Sequence, residues 1–402
     1  MSGIAQLLRL ILADLWHDRV AVICQALALA AVVVPLMVLL GLRAGVIGTL
    51  IDRMDGDPAM RLVLPEVTGG NRFDAAWLAR WGADPRVAFV LPNTRSIAAQ
   101  VDLVAPSGAS LRVALNPTAP GDPIGAGDLV TGPDAIAVTT EAARRLGVAA
   151  GDRVTVTLER TRGGRIEPAA RAMTVAAVLS PDLAGGSGAY VTLPLLLAIQ
   201  AFRDGHAVPE LGNVGDSPAP EVAAHPLFRL YARSIRDVAG LAEALRRDGV
   251  QVATREGEIL STLRLDASLR AVLAIIATAA GLGAGLSMLA GQLAALQRKR
   301  RDLAVLKLIG YGPVWLAGMP IGLGLAVGLL GALLAVPLFW ATAAVINGFF
   351  AASLAPGEAA CRLSLAEIAG FVAATALVTL PAGLIAARRA TGVDPAEEVR
   401  DV

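Results

Sequence analysis

The longest stretch of the chain without a charged residue runs from Leu308 to Gly357, fifty residues in a protein of 402. Three further uncharged runs are Val20 to Leu42 (23 residues), Ala271 to Gln297 (27) and Ile368 to Ala387 (20). At about 1.5 Å per residue, each of these reaches most or all of the way across a hydrocarbon core of about 30 Å. Composition agrees: 55% of residues are apolar and 17% charged, against roughly 45–50% and about 25% in soluble domains. Part of this chain is not meant for water. The fifty-residue stretch is the ambiguous one. As a single helix it would reach roughly 75 Å, so it holds either one span with apolar flanks or two short spans.

Loop charges choose between these. With one crossing there, the chain crosses four times and both termini share a side. That side collects Arg9, Arg19, the cluster Arg298, Lys299, Arg300, Arg301 and Lys307, and then Arg388, Arg389 and Arg400. The opposite short loop, 347–367, holds only Arg362. Two crossings would carry the C-terminal basic residues across, against the positive-inside tendency. The sequence therefore predicts spans at 20–42, 271–297, 314–346 and 368–387 of a cytoplasmic (inner) membrane. Residues 1–19, the loop 298–313 and the tail 388–402 then lie in the cytoplasm. A cleaved signal peptide is the competing reading of the first run. It needs an apolar core of about 7–15 residues and a small-residue cleavage site, whereas this run is 23 residues long and nineteen residues precede it.

Between the first two spans, residues 43–270 have soluble composition, with 24 Arg, 25 Asp plus Glu and no Lys. The parity of crossings puts this domain outside the membrane. Strands are expected at Met60–Leu64, Val87–Leu91, Phe228–Ala232 and Val250–Thr254, with helices over Phe73–Trp81 and Val238–Arg247. Two β-α-β units thus bracket the domain, and one α+β lobe built from 43–125 and 226–264 is the economical fold. Pro/Gly-rich stretches at 116–134 and 205–226 flank an expected strand-rich insertion, 126–225. Within it, a helix is expected over Thr140–Leu146 and strands over Arg153–Leu158 and Ala172–Val178. No repeat of 20–50 residues is present, which argues against a solenoid.

Chemistry finds little support. Neither lysine is preceded by Gly, so the G-x-x-x-x-G-K-[ST] phosphate loop is absent. His17, His206 and His225 lie far apart without metal-ligand spacing. Gly185-Gly-Ser-Gly-Ala189 ends in Ala where a nucleophile elbow has Gly, and no strand-to-helix setting surrounds it. Asp55-Gly-Asp57-Pro58 reads as a turn before it reads as a cation loop. Cys24 and Cys361 are too few for a disulfide scaffold or a cysteine zinc site. A net charge of +1 and 4% aromatics give no footing for nucleic acid. No metal, cofactor or catalytic residue is expected in this chain.

What remains is mechanical. Ser2, Gln6, Arg9, Ala13 and His17 form a narrow polar stripe at helical spacing, as in a helix lying in the cytoplasmic interface with Trp16 near the headgroups; a plain extension of the first span is the alternative. Gly281 and Gly285, and Gly324 and Gly328, have small-xxx-small spacing that lets backbones approach within one bundle or between subunits. None of the spans carries a charge, which counts against a proton- or ion-coupled carrier. After the second span, Arg301-Asp-Leu-Ala-Val-Leu-Lys-Leu-Ile-Gly310 is a short helical segment with apolar residues most of the way round, expected to pack on several sides.

This segment, in this position, resembles the loop signature of FtsX/MacB-type ABC transporter permeases. Arg300, Arg301, Asp302, Leu303, Val305, Leu306, Lys307, Ile309 and Gly310 match it, with Asp302 where Glu is usual and Tyr311-Gly312 where small residues are usual. The C-terminal Arg388, Arg389, Asp394 and Pro395 are similar to the family's closing basic-then-Asp-Pro-Ala motif. Asp134 to Asp152 is similar to the family's outer domain. The layout matches over the full chain: one span, a domain of 43–270, then three spans. With no fused ATPase, unlike MacB, it is closer in layout to lipoprotein-releasing permeases of the LolC/LolE kind. The resemblance implies four transmembrane helices with a large MacB-like α+β domain inserted between the first two, in a homo- or heterodimer. It implies a separate ATP-binding subunit that carries ATP and Mg and docks on the loop, and motion passed to the outer domain without a solute pathway. An adaptor or lipoprotein outside the membrane and membrane lipids are the other implied partners. The alternative within the family is an envelope signalling or scaffold protein of the FtsX type controlling an outer partner.

Overall fold

The computed structural model describes residues 2–66, 72–95, 99–212, 215, 217–299, 304–305, 307–309, 312–353 and 357–391. Its contacts divide the chain into two units, 1–51 with 263–402, and 52–262.

The first unit holds α1 (Ser2–His17), α2 (Arg19–Leu42), α9 (Glu256–Arg298, which begins in the other unit), α10 (Pro313–Phe350) and α11 (Leu365–Thr391). Among the described residues, four helices are long and apolar enough to cross a membrane: Arg19–Gly56, Glu256–Arg298, Trp315–Phe350 and Leu365–Arg389. The fifty-residue uncharged stretch does not double back. It forms α10, continuous through Pro320 and Pro337, then a short 3₁₀ turn at Ala351–Ser353. In an apolar setting a helix is the form that satisfies its own backbone, and neighbouring helices tolerate the two prolines.

The helices that hold the first two expected spans run on past the charge-free stretches. Beyond Leu42 the helix continues through a π turn, Arg43–Ile47, into α3 (Gly48–Gly56). The boundaries at 43 and 270 therefore fall inside helices. The reason is that the charges there neutralise one another. Asp266, whose side chain is 4% exposed, takes Arg43 Nη2 at 2.6 Å and Arg270 Nη2 at 2.6 Å. A counting rule that stops at the first charge stops before this triad.

The core of this unit is a seam of Leu29, Ala30, Val33 and Met37 from α2 against Ala335, Phe339 and Ala343 from α10. Cys361 and Ile368 close it at one end. There, Asn347 holds Cys361 by both amide atoms, at 2.8 and 3.1 Å. The Ala360 backbone comes so near Gly45 that any Cβ would overlap its carbonyl. By contrast, α9 has only 6% of its most apolar window buried, against 28–33% for the other three.

The second unit contains two lobes. Strands β1 (Leu62–Pro65), β3 (Val87–Asn93), β11 (Leu227–Ala232) and β12 (Val252–Ala253) form an antiparallel sheet ordered β12-β1-β11-β3. Helix α8 (Ile235–Arg247) buries Ile235, Val238, Leu241 and Leu245, the i, i+3 pattern of an amphipathic helix. Helix α5 (Ala75–Gly82) is capped by Asp74, which accepts from Trp77 N at 2.7 Å. Phe73, Trp77 and Phe228 stack beside it at 4.5–4.8 Å between ring centres.

The other lobe is a closed barrel, ordered β4-β5-β9-β6-β8-β7. Its strands are β4 (Gln100–Val104), β5 (Ser110–Thr118), β6 (Ala135–Thr139), β7 (Arg153–Arg162), β8 (Arg165–Leu179) and β9 (Gly188–Thr192). The barrel thus begins at Gln100, not at the expected 126. The Pro/Gly-rich stretch 116–134 is a connection within it, from β5 to β6. Closure is the reason: β4 pairs with β5 and also with β7, whose sequence lies some fifty residues on. Along β7, Val154, Val156, Leu158 and Arg160 point inward. The hairpin to β8 turns on Gly163 and Gly164, both at positive φ (56° and 80°), as a two-residue turn of this hand requires. Helices α6 (Thr140–Leu146) and α7 (Leu193–Arg203) supply Leu146, Leu195 and Phe202 to the barrel core.

One buried ion pair ties the two lobes. Asp122, in the β5–β6 connection, meets Arg229 of β11, with both side chains at most 5% exposed. Thr118 Oγ1 adds a hydrogen bond to Asp122 at 2.9 Å, and the guanidinium lies 5.5 Å from the ring centres of Tyr190 and Tyr231. Burial pushes the Tyr231 hydroxyl pKa up to about 12, so it stays protonated. Arg229→Ala strands the Asp122 carboxylate, and the opening free energy of β11 in the full chain should fall by about 3–5 kcal/mol. Hydrogen exchange reads this. The double variant Asp122→Leu with Arg229→Met should recover most of the loss, and equal exchange in the single variant and the parent would refute the pin.

Candidate functional site

The end of α9 leads into the segment that carries the expected docking residues, and Lys299 at that end meets the N-terminal helix. Described here are Ala304, Val305, Lys307, Leu308 and Ile309. Only Ala304 among their apolar side chains is covered, at 1% exposure; Val305, Leu308 and Ile309 are 50, 63 and 70% exposed. Among the described residues, the expected packing on several sides is met within the chain at Ala304 alone. Three neighbouring aliphatic side chains lie open. Immediately after, Gly312 is extended and Pro313 opens α10, a helix start that its fixed φ favours. Leu316 then buries itself against Leu296 and Met319, so the beginning of α10 is fixed on the end of α9.

A charged clamp holds α1 to the same place. Lys299, one residue beyond α9, bonds Asp14 of α1 and, at 2.6 Å, Asp18 in the break between α1 and α2. A cation there also suits the negative end of the α9 dipole. Burial draws the Lys299 ammonium pKa down, and the two carboxylates outweigh it, leaving the pKa above its ordinary value. The hydrogen bond from Lys299 holds Asp18 below the usual carboxylate value. Ile11 of α1 is buried over Gly322 of α10, while Leu12 and Trp16 are 63 and 76% exposed.

No protein-family model matches the chain, and no curated protein matches its sequence. The site therefore rests on its own geometry. Of the expected docking set, Val305, Lys307 and Ile309 are placed as above; Arg300, Arg301, Asp302, Leu303, Leu306 and Gly310 lie outside the described residues. Arg388 and Arg389 occupy the last turn of α11 and are exposed. Asp394 and Pro395 lie outside the described residues. The four glycines face neighbours inside the unit. A Cβ on Gly281 or Gly285 would lie 4.0 or 3.5 Å from Val378 of α11, one on Gly324 would overlap the Gln292 side chain, and one on Gly328 would lie 2.8 Å from Thr379 Oγ1. Among the described residues no three His, Cys, Asp or Glu side chains gather as metal ligands would.

Sequence reasoning passed over the clamp and two glutamines beside it. Gln25 in α2 and Gln292 in α9 line one cavity with Asp14, Asp18 and Lys299. A search for charges alone skips uncharged amides, and the signal that was available is a polar side chain within an apolar run.

The clamp sets a pH dependence. A depressed carboxylate pKa stabilises the fold above its unfolded value, near 3.8, and that contribution is lost as pH falls through the folded value. A raised lysine pKa stabilises below 10.5, and the contribution is lost as pH rises through the folded value. A double-mutant cycle on Lys299→Ala and Asp18→Ala, read by thermal unfolding in detergent, should give coupling on the order of 1 kcal/mol at neutral pH. It should vanish well below pH 3.8; coupling that survives there would show that the carboxylate is not its source.

Proposed function

We propose that this chain is the membrane subunit of an ABC transporter of the FtsX/MacB type. A separate ATP-binding subunit docks on the segment after α9, and the chain passes its motion across the membrane to the domain that begins near residue 52. The observation that carries this reading is the open trio Val305, Leu308 and Ile309. Aliphatic side chains so exposed at the end of a membrane helix, among basic residues, suit a protein partner better than water.

The route for motion is α9, an uninterrupted helix of 43 residues, about 65 Å long. Displacement of its Arg298 end is carried along the rod with little loss. In this reading 298–313 lies in the cytoplasm, as the clustered basic residues favour, and residues 52–262 lie outside it. The cargo is a lipophilic or envelope substrate, such as a lipoprotein, handled by two permease copies or by this chain with a second permease. Spans without charge suit mechanical transmission better than a hydrophilic solute path.

The tagged chain purified from its native membrane should carry ATP-hydrolysing activity. Val305→Asp with Ile309→Asp places two charges at the centre of the contact and should weaken that association about thirtyfold. The thermal unfolding of the chain itself should not change, because both side chains are exposed. Undiminished ATPase retention in the double variant would refute the docking site.

A further inference from the structure

The cavity between α1, α2, α9 and α10 has a volume of about 120 Å³. Of its lining residues, Gln292 is 8% exposed, and neither its Nε2 nor its Oε1 has a hydrogen-bond partner. Asp14, which also lines it, uses Oδ1 on Lys299 and leaves Oδ2 buried without a partner. Arg298 lines the same cavity, and apolar side chains such as Leu323 and Val327 form its wall. Amides and carboxylate oxygens taken from water without partners cost about 1–3 kcal/mol each. A cavity that keeps three such atoms together is built for something that satisfies them.

Depth identifies the chemistry. Gln292 lies seven residues before Lys299 on α9, and Gln25 seven residues after Asp18 on α2, about 10 Å along each helix. With Lys299 and Asp18 at headgroup level, both amides fall where the glycerol esters of a phospholipid meet its chains. Charge narrows the headgroup. Among its described lining residues, Asp14 and Asp18 balance Arg298 and Lys299, so that lining offers no excess of cations to an anionic lipid. The atom left wanting is a carboxylate oxygen, which needs a donor.

We propose that this cavity holds a phospholipid with an ammonium headgroup, of the phosphatidylethanolamine class. The ammonium donates to Asp14 Oδ2, and the phosphate lies against Arg298. Gln292 Nε2 donates to an ester carbonyl, and Gln292 Oε1 takes a hydrogen from water drawn in with the headgroup. The lipid would tie α1 to α9 beside the Lys299 clamp. The site stands whether or not an ATPase docks at Val305 and Ile309, because it needs only the membrane.

Native mass spectrometry of the full chain in detergent, with phosphatidylethanolamine or phosphatidylglycerol of the same chain length added, tests this. The parent should hold one phosphatidylethanolamine about tenfold more strongly than phosphatidylglycerol. Asp14→Asn should erase that preference. Gln292→Leu, an apolar exchange that keeps the clamp and the fold, should weaken retention of phosphatidylethanolamine about tenfold. Equal retention of the two lipids by the parent, or unchanged retention by Gln292→Leu, would mean that the cavity holds water and not this lipid.

Discussion

The backbone's need to satisfy its own polar groups wherever water is missing governs this protein. Over Leu308–Gly357 no side chain carries a charge, and in hydrocarbon such a stretch has only helical or barrel pairing open to it. It becomes α10, unbroken through two prolines. The other long helices lean on α10 in different degrees. α2 packs tightly along it at Leu29, Val33 and Met37, and α11 brings Thr379 over Gly328. α9 keeps most of its surface open.

At both ends of the helical unit, charges are handled by pairing. Asp266 is shared by Arg43 and Arg270, and Lys299 by Asp14 and Asp18. The Lys299 set sits at the end of α9 and the Asp266 set inside it, and in each the partners neutralise a charge that would be costly to bury alone. The two sets have different consequences. Around Asp266 the carboxylate has a guanidinium for each oxygen. Around Lys299 one carboxylate oxygen and a nearby glutamine are left over, and there the proposed lipid finds its place next to the proposed docking segment.

The β-rich unit shows how far local pattern carries. Thr140–Leu146 is helical over the expected residues, and β3, β7, β8 and β11 contain or overlap the strands read from alternation. β12 is shorter than expected, because only Val252 and Ala253 reach β1. β4 and β5 escaped notice, and the lobe boundary was misplaced with them. Membership of a barrel is decided by pairing partners far along the chain, and alternation within a strand does not name its partner.

From the sequence alone came the count of long apolar helices, the soluble character of the residues between the first two, and the aliphatic segment after α9. These are local properties: charge-free length and side-chain periodicity act within a few turns of one element. Tertiary structure alone decided that Arg43 meets Asp266, 223 residues away, and that Arg229 meets Asp122, 107 away. It also decided that Gln292 is buried without a partner in a cavity that Asp14 also lines. Which polar groups share a cavity depends on how separate helices cross, and no window of one helix contains that information.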